Sequence, residues 1–413
     1  MKALVLCGGL PQIALINDLK QRGITTLLAD MNENVKAREY ADEFYKVSVL
    51  DVEAIRNLAR EQKVDFLITV CADQVLQVVA QVSEELGLPC YLDFETAQNV
   101  SKKSFMKKTF FESGVPTSKY VVMNSFDEQK IKDLKYPIIV KPVDAYSSRG
   151  VTKVYNLDEL KSAFEKAISI SREGNAVIEE FVEGQEITVD VYVEDSIAHV
   201  LCMTELYKIG EDGKFIINRS INPARVSLDI ENQIKATAQK IADGFGLKNT
   251  PMLIQLISDG KNISVVEFCA RTGGGVKFLM IKKFTGFDVV KAVVDLTLGL
   301  KPHVGELKKN PMITVNEFVY CKKGILDHVE GIDELVLNGT VSEYSQFKTS
   351  GTEFGEINGS GDRVAYFSIS DSSMQEVIRR HRIVNESICA VSTDGEDLIR
   401  HDLIEKFSKD NVI

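Results

Sequence analysis

From its first residue to about position 95 the chain alternates short apolar runs with amphipathic ones, and no other feature narrows the fold as much. Ala3–Leu6, Thr25–Ala29, Phe44–Val49, Phe66–Val70 and a short piece near Cys90 read as strands. Helical patterns lie between several of them. The clearest runs from Asp73 to Leu86, where Val75, Val78, Val79, Val82 and Leu86 recur at helical spacing and Asp73 is placed as an N-cap. Such alternation predicts a parallel sheet with helices on both faces. Gly8-Gly9, with Asp30 downstream, invites a dinucleotide-binding reading. It fails because Leu10-Pro11-Gln12 follows, where the turn and the helix packing call for further glycine.

At 413 residues the chain exceeds one typical core, so two or three domains are expected. Its 49 basic and 60 acidic residues leave a net charge of −11. That balance does not suggest nucleic acid as a partner, and any anionic ligand must be met by lysines gathered locally. The opening apolar run is too short for a secretory signal, and no run of about 18 apolar residues is present to span a membrane. The seven cysteines (7, 71, 90, 202, 269, 321 and 389) form no Cys-x-x-Cys pair. Most sit in apolar strand-like runs, where a thiol behaves as a small hydrophobe, and a reducing cytoplasm is the expected location.

Further on, the pattern predicts a helix over 96–113, ended by Gly114 with Pro116 beyond it. Strand, loop and strand follow over 137–143, 144–150 and 151–155. Helices are expected over 158–171, 229–245 and 288–298, and strands over 176–182, 186–193, 197–207, 252–258 and 263–268. Beyond Lys301 short strands and glycines dominate, and a structural role is expected of that tail.

Three segments carry residues suited to chemistry. Lys141 ends an apolar strand before Pro142 and the loop Asp144-Ala-Tyr-Ser-Ser-Arg-Gly150. An ammonium beside hydroxyls and exposed amides suits a polyphosphate, although an ordinary hairpin with a solvated lysine would read the same. Val177-Ile-Glu-Glu-Phe-Val-Glu-Gly-Gln-Glu186 ends a buried strand in carboxylates. Backbone near Phe181 and Val182 can pair with a purine edge, Glu179 can accept from an amino group, and Glu186 can accept from ribose hydroxyls; an acidic edge strand facing water is the alternative. The third segment is the antiparallel pair around Gly260. With a connection of about five residues, Ser258 faces Ser264 and Gln255 faces Glu267, close enough to share one hard cation, whereas a four-residue loop would put them on opposite faces. Arg271 and the glycines at 273–275 then suit a carboxylate or phosphoryl oxygen.

In this order the segments resemble the ATP-grasp superfamily, in the branch of biotin carboxylase, glycinamide ribonucleotide synthetase and amino-acid ligases. The resemblance covers roughly residues 1–300 and continues more weakly to the C-terminus. It implies an α/β chain, α+β overall: an N-terminal parallel-sheet pre-ATP-grasp domain (1–95), an ATP-grasp domain of two α+β subdomains (96–300, with a mobile lid at about 117–184) and a β-rich C-terminal domain (301–413). It implies ATP and Mg2+, with Mn2+ as an alternative. Lys103, eleven residues before Gly114-Val-Pro-Thr, matches the first nucleotide lysine, with Lys102 as fallback, and Lys141 matches the second. Ser147, Ser148 and Gly150 fall on the loop covering the phosphates. Glu179, Glu180, Phe181 and Val182 match the adenine hinge, and Glu186 the ribose ligand. Gln255 and Glu267 match the metal positions, and Arg271 an arginine that follows closely. The chain departs from the family at Gln255, where glutamate is usual, and at Cys269, where asparagine is usual.

The implied reaction is attack of a carboxylate on the γ-phosphate of ATP, then displacement of phosphate from the acyl-phosphate by an amine. Lys103, Lys141, the metal and Arg271 would carry the negative charge, and closure of loop 144–150 would exclude water. Arg219 is a candidate for the substrate carboxylate, with a surface arginine as the alternative. The expected partners are a small-molecule carboxylate and an amine, with no nucleic acid and no membrane, and a homodimer is the assembly the family suggests. Competing readings are a catalytically weakened nucleotide-binding protein, suggested by Gln255 and Cys269, and a carboxylase using bicarbonate.

Overall fold

The computed structural model describes residues 1–145, 149–210, 215–308 and 310–410. Strands β1 (Lys2–Leu6), β2 (Thr25–Asp30), β3 (Glu43–Lys46) and β4 (Phe66–Ile68) form a parallel sheet in the order β3-β2-β1-β4. Helices α1 (Leu10–Gln21), α2 (Val52–Gln62) and α3 (Asp73–Leu86) connect them. Successive residues of β1 enter opposite cores. Ala3 and Val5 pack with Leu15, Ile16 and Leu19 of α1, whereas Leu4 and Leu6 pack with Ile55 of α2 and Val75, Val78 and Val82 of α3. A strand buried on both faces reads as a continuous apolar run, and the helices lie on both faces as the alternation predicts. The piece near Cys90 is not a strand. Ala72, not Asp73, is the N-cap of α3, and Asp73 turns elsewhere.

The helix expected over 96–113 is two helices, α4 (Phe94–Asn99) and α5 (Lys103–Glu112). Ser101 donates its hydroxyl back to the Ala97 carbonyl, closing α4 locally, so Lys103 becomes the first residue of a new helix. Next, β5 (Tyr120–Met123), α6 (Glu128–Ile131), β6 (Ile138–Pro142), β7 (Thr152–Val154), α7 (Leu157–Ile170) and β8 (Ala176–Glu180) build a four-stranded antiparallel sheet, β5-β8-β6-β7. It has its own core around Val140, Phe164 and Ile178.

The remaining strands are β9 (Gln185–Glu194), β10 (Ile197–Lys208), β11 (Ile217–Asn222), β12 (Thr250–Ser258), β13 (Ile263–Cys269), β14 (Ile313–Tyr320), β15 (Gly324–Glu330), β16 (Glu343–Gln346), β17 (Glu353–Phe354), β18 (Arg363–Asp371) and β19 (Cys389–Ser392). Among them run α8 (Leu228–Gly244), α9 (Lys277–Thr285), α10 (Val289–Thr297), α11 (Asp333–Leu337), α12 (Met374–Ser387) and α13 (His401–Asp410). Eight strands form one sheet, β13-β12-β9-β10-β11-β14-β18-β16, so strands from both sides of residue 300 share it. One face packs on α8: Ile187, Val189 and Val191 of β9 meet Ile230, Ile234 and Ala238. The other meets α9, with Tyr192 and Cys202 against Phe278 and Ile281. Among the described residues no helix is long and apolar enough to cross a membrane.

Candidate active site

The site begins at the first turn of α5. Phe110, on the same helix, packs against Phe245 and Phe268 with ring centroids 6.1 and 6.0 Å apart, which fixes α5 against α8 and β13. This brings Lys103 to 3.8 Å from Glu267 on β13, and the Lys103 ammonium donates to the Ala145 carbonyl at 2.8 Å. Ala145 lies four residues beyond Lys141, in the loop that follows β6. One turn along α5, Lys107 is almost wholly buried and donates to Glu179 at 2.6 Å. Lys141 pairs with the other oxygen of the same carboxylate, and Ser118 adds a hydroxyl at 2.9 Å. Lys107 and Lys141 are therefore tied by Glu179, and Lys103 comes to the same region through the carbonyl of the loop that follows Lys141 and through Glu267.

Burial alone would push the Glu179 carboxyl upward, but the charges of Lys141 and Lys107 outweigh it and hold it down at about 2. Burial lowers the Lys107 ammonium pKa, against the pull of Glu179. Three donors on its two oxygens leave Glu179 little capacity for a purine amino group. The neighbouring chain from Glu180 to Val182 joins the small sheet to β9. The Glu180 amide bonds Lys119, the Phe181 amide bonds Pro137, and the Phe181 ring lies 3.4 Å from the Lys153 ammonium. Gly184 has φ +149, and a Cβ there would meet the Ser258 carbonyl at 2.2 Å, so only glycine lets this connection lie on β12. Glu186 pairs with Lys208. Gly150 has φ +76, whereas Ser147 and Ser148 lie outside the described residues.

Strand pairing sets Gln255 directly opposite Glu267, by a different route from the one the loop arithmetic expects. The connection is the four residues Asp259–Asn262: Ser258 faces Ile263, not Ser264, and Ile257 faces Ser264. Val266 is then passed over in a bulge between the Gln255 and Leu256 pairs, and the extra residue restores the Gln255–Glu267 pairing. The bulge sits where the segment after Gly114 docks on this edge strand. Val265 donates to the Pro116 carbonyl at 2.7 Å and accepts from the Thr117 hydroxyl at 2.8 Å.

Arg271 grips Asp73 with two donors of its fork, one at 2.6 Å, and gives a third to the Thr272 carbonyl at 2.8 Å. It lines a small open cleft with Asp73, Lys103, Glu267 and Cys269. Burial raises the Cys269 thiol well above its ordinary range, so it stays protonated and gives a hard cation nothing to bind. Among the described residues no group of three or more His, Cys, Asp or Glu is placed to hold a metal by itself. One carboxylate and one amide oxygen do fit Mg2+ held jointly with phosphate oxygens, which is how that cation is usually bound.

Arg219 is placed elsewhere. It is 2% exposed, pairs with Glu317 across β11 and β14, and donates to the Leu403 and Ile404 carbonyls at 2.9 and 3.2 Å. His381 completes the cluster, 3.0 Å from Glu317. Both the role of binding a substrate carboxylate and the surface alternative are corrected: a guanidinium paired with Glu317 and bonded to two carbonyls inside the C-terminal core reaches neither cleft nor solvent.

The alternation of residue types left Lys107, Asp190 and Lys277 unmarked and gave Asp73 only a capping role. For Lys107 a signal exists, its i,i+4 spacing from Lys103. For Asp73 there is none, because its partner lies 198 residues away.

Residues 134–279 match the family model of the ATP-grasp domain, and the chain carries such a domain. It is 23% identical to the carbamoyl phosphate synthase large chain of Clostridium acetobutylicum over 87% of its own length and 35% of that protein's. To the formate-dependent phosphoribosylglycinamide formyltransferase of Pasteurella multocida it is 25% identical, over 59% of this chain and 63% of that one. The chain thus spans about a third of the first relative and just under two-thirds of the second. In fold it resembles the biotin carboxylase domain of Hydrogenobacter thermophilus 2-oxoglutarate carboxylase, a dimer in complex with MgADP, ADP and bicarbonate (TM-score 0.80, 18% identity, 99% and 94% of the two chains covered). It also resembles the L-amino acid ligase of Bacillus licheniformis (TM-score 0.76, 19% identity, 94% and 98% covered).

Proposed function

We propose that the chain is an ATP-dependent ligase that activates a carboxylate as an acyl-phosphate and joins it to an amine. One observation carries the reading: Lys103, on a helix, donates to the carbonyl of Ala145, four residues beyond Lys141 at its strand end, and Glu267 stands 3.8 Å from Lys103. Lys141 is held by the buried Glu179, and Lys103 by the carbonyl of the loop that follows Lys141. Two ammonium groups placed at the two ends of that segment would present their charge to one anion, and the γ-phosphate of ATP is the electrophile such a site would position.

In this reading Lys103 and Lys141 hold the triphosphate, the backbone from Glu180 to Val182 meets the adenine, and Glu186 meets the ribose. Mg2+, held by Glu267 and the Gln255 amide oxygen together with the nucleotide, supplies charge neutralisation at the phosphates. Glu179 positions Lys141 and Lys107 rather than touching substrate. Arg271, already oriented by Asp73, offers its remaining donors to the carboxylate or the departing phosphate. The loop after Lys141, through Gly150, closes over the phosphates and keeps water from the acyl-phosphate.

The test is phosphate release from Mg-ATP with a panel of amino acids as both carboxylate and amine. Turnover that needs both components supports ligation. ATP hydrolysis that needs bicarbonate and no amine supports the carboxylase reading. A second reading, a weakened nucleotide-binding protein, is favoured by the single carboxylate at the metal position. ATP binding without turnover by any pair, restored by Gln255→Glu, would establish that one instead.

A further inference from the structure

Two residues past Thr188 on β9, on the face that meets α9, stands a carboxylate that the reading above does not use. Asp190 is 2% exposed, and neither of its oxygens accepts a hydrogen bond. The Lys277 ammonium, at the start of α9, donates to the Thr188 hydroxyl at 2.7 Å and faces Asp190 at 3.5 Å, an ion pair longer than a hydrogen bond. A buried carboxylate with both oxygens unmet costs several kcal/mol, so a fold that keeps one is keeping capacity to accept donors.

The position of this capacity is defined by strand register. Glu267 opposes Gln255, Gln255 opposes Thr188, and Asp190 follows two residues along the same face. With strands about 4.8 Å apart and a rise of about 3.4 Å per residue, Asp190 lies about 12 Å from Glu267. That is the length of a small substrate reaching from the phosphate end of the cleft. Gly273 covers the carboxylate: a Cβ there would come within 2.8 Å of Asp190 Oδ1 and 3.0 Å of the Lys277 side chain. Gly274 and Gly275 continue the cover and are exposed. Backbone with no side chains to anchor it therefore stands between Asp190 and the cleft that Arg271 lines. Thr272 adds another buried oxygen without a hydrogen-bond partner at the same loop.

We propose that Asp190 is the floor of a subsite that takes the amine substrate as its ammonium, opened by movement of the Thr272–Gly275 loop. Asp190 accepts the proton the ammonium loses before its nitrogen lone pair attacks the acyl carbon and phosphate departs. The complement of unmet acceptors is a group rich in donors, and an ammonium satisfies both carboxylate oxygens while adding a charge that the phosphates nearby balance. The inference rests on the ligase reading and narrows it to amines that are cationic when they bind.

The test uses the full chain with Mg-ATP and a carboxylate from the amino-acid panel, with two nucleophiles in parallel. Hydroxylamine is uncharged at neutral pH and traps an acyl-phosphate as a hydroxamate; L-alanine presents an ammonium. Asp190→Asn should lower the ratio of amide to hydroxamate at least tenfold, through a higher KM for L-alanine with the KM for ATP within twofold. Gly273→Ala, which crowds the subsite without changing its charge, should lower the same ratio and serves if the first variant does not fold. Equal losses with both nucleophiles, or no loss with either, overturn the subsite. Wild-type protein that yields hydroxamate but no amide with any amine also overturns it, leaving the acyl-phosphate reading intact. If wild type yields neither product, the ligase reading falls, and the subsite with it.

Discussion

Glu179 and Asp190 are carboxylates buried in strands of neighbouring sheets, and they are treated in opposite ways. Glu179 receives two ammonium groups and a hydroxyl, and its pKa is held at about 2. Asp190 accepts no hydrogen bond, and burial pushes its pKa up against the charges of Lys277 and Arg271. A saturated carboxylate fixes what surrounds it; an unsaturated one retains affinity for what arrives. The difference separates a residue that positions the nucleotide lysines from one that would meet a substrate.

Removing the saturated group should have the largest effect. Glu179→Gln leaves two buried ammonium groups uncompensated, and unfolding free energy from urea titration should fall by about 3–5 kcal/mol. Arg219→Met, which strands Glu317 in the C-terminal core, should cost a similar amount while leaving the KM of every substrate within twofold. A raised KM with normal stability would return Arg219 to the cleft. The Glu179 contribution also has a pH signature. Its folded pKa lies below the ordinary value of 4.5, so the stabilisation is complete above about 4.5 and is lost as pH falls towards about 2. The stability gap between wild type and Glu179→Gln should shrink across that window by roughly 3 kcal/mol and stay flat above it. Asp190→Asn relieves the burial of a charge whose oxygens accept no hydrogen bond and loses the ion pair with Lys277 at 3.5 Å, opposed effects that should leave the unfolding free energy within about 1 kcal/mol of wild type. A loss as large as that of Glu179→Gln would erase the contrast. Smallest of all, Gln255→Glu adds a charge opposite Glu267 and should tighten Mn2+ binding in the presence of ADP by about threefold, measured by calorimetry.

What was legible in the sequence was what local pattern controls. The parallel sheet of residues 1–70 follows from apolar runs that feed two cores, and α7, α8 and α10 lie within a residue of the expected spans. The Gln255–Glu267 pairing was reached on a premise the structure replaces, because a bulge at Val266 cannot be read from four loop residues. Asp190 was passed over because Ile-Thr-Val-Asp-Val-Tyr-Val alternates like a strand with one wet face. Both faces are in fact covered, one by α8 and the other by α9, and α9 follows a glycine run that hides its start. Arg219 was misplaced because its partners, Glu317 and the carbonyls of α13, come from a tail read as short strands and glycines, although Ser373 and Glu376 mark the start of α12 and α13 is amphipathic. Long-range ion pairs are invisible to periodicity, and most of this site is made of them.

The central claim is that Lys103 and Lys141 serve one polyphosphate. Calorimetric titration of Lys103→Met and Lys141→Met with Mg-ATP and, separately, with AMP tests it most directly. Each variant should bind Mg-ATP at least tenfold more weakly than wild type, with AMP affinity changed less than twofold. A folded variant of either lysine that binds Mg-ATP as tightly as wild type would contradict the account.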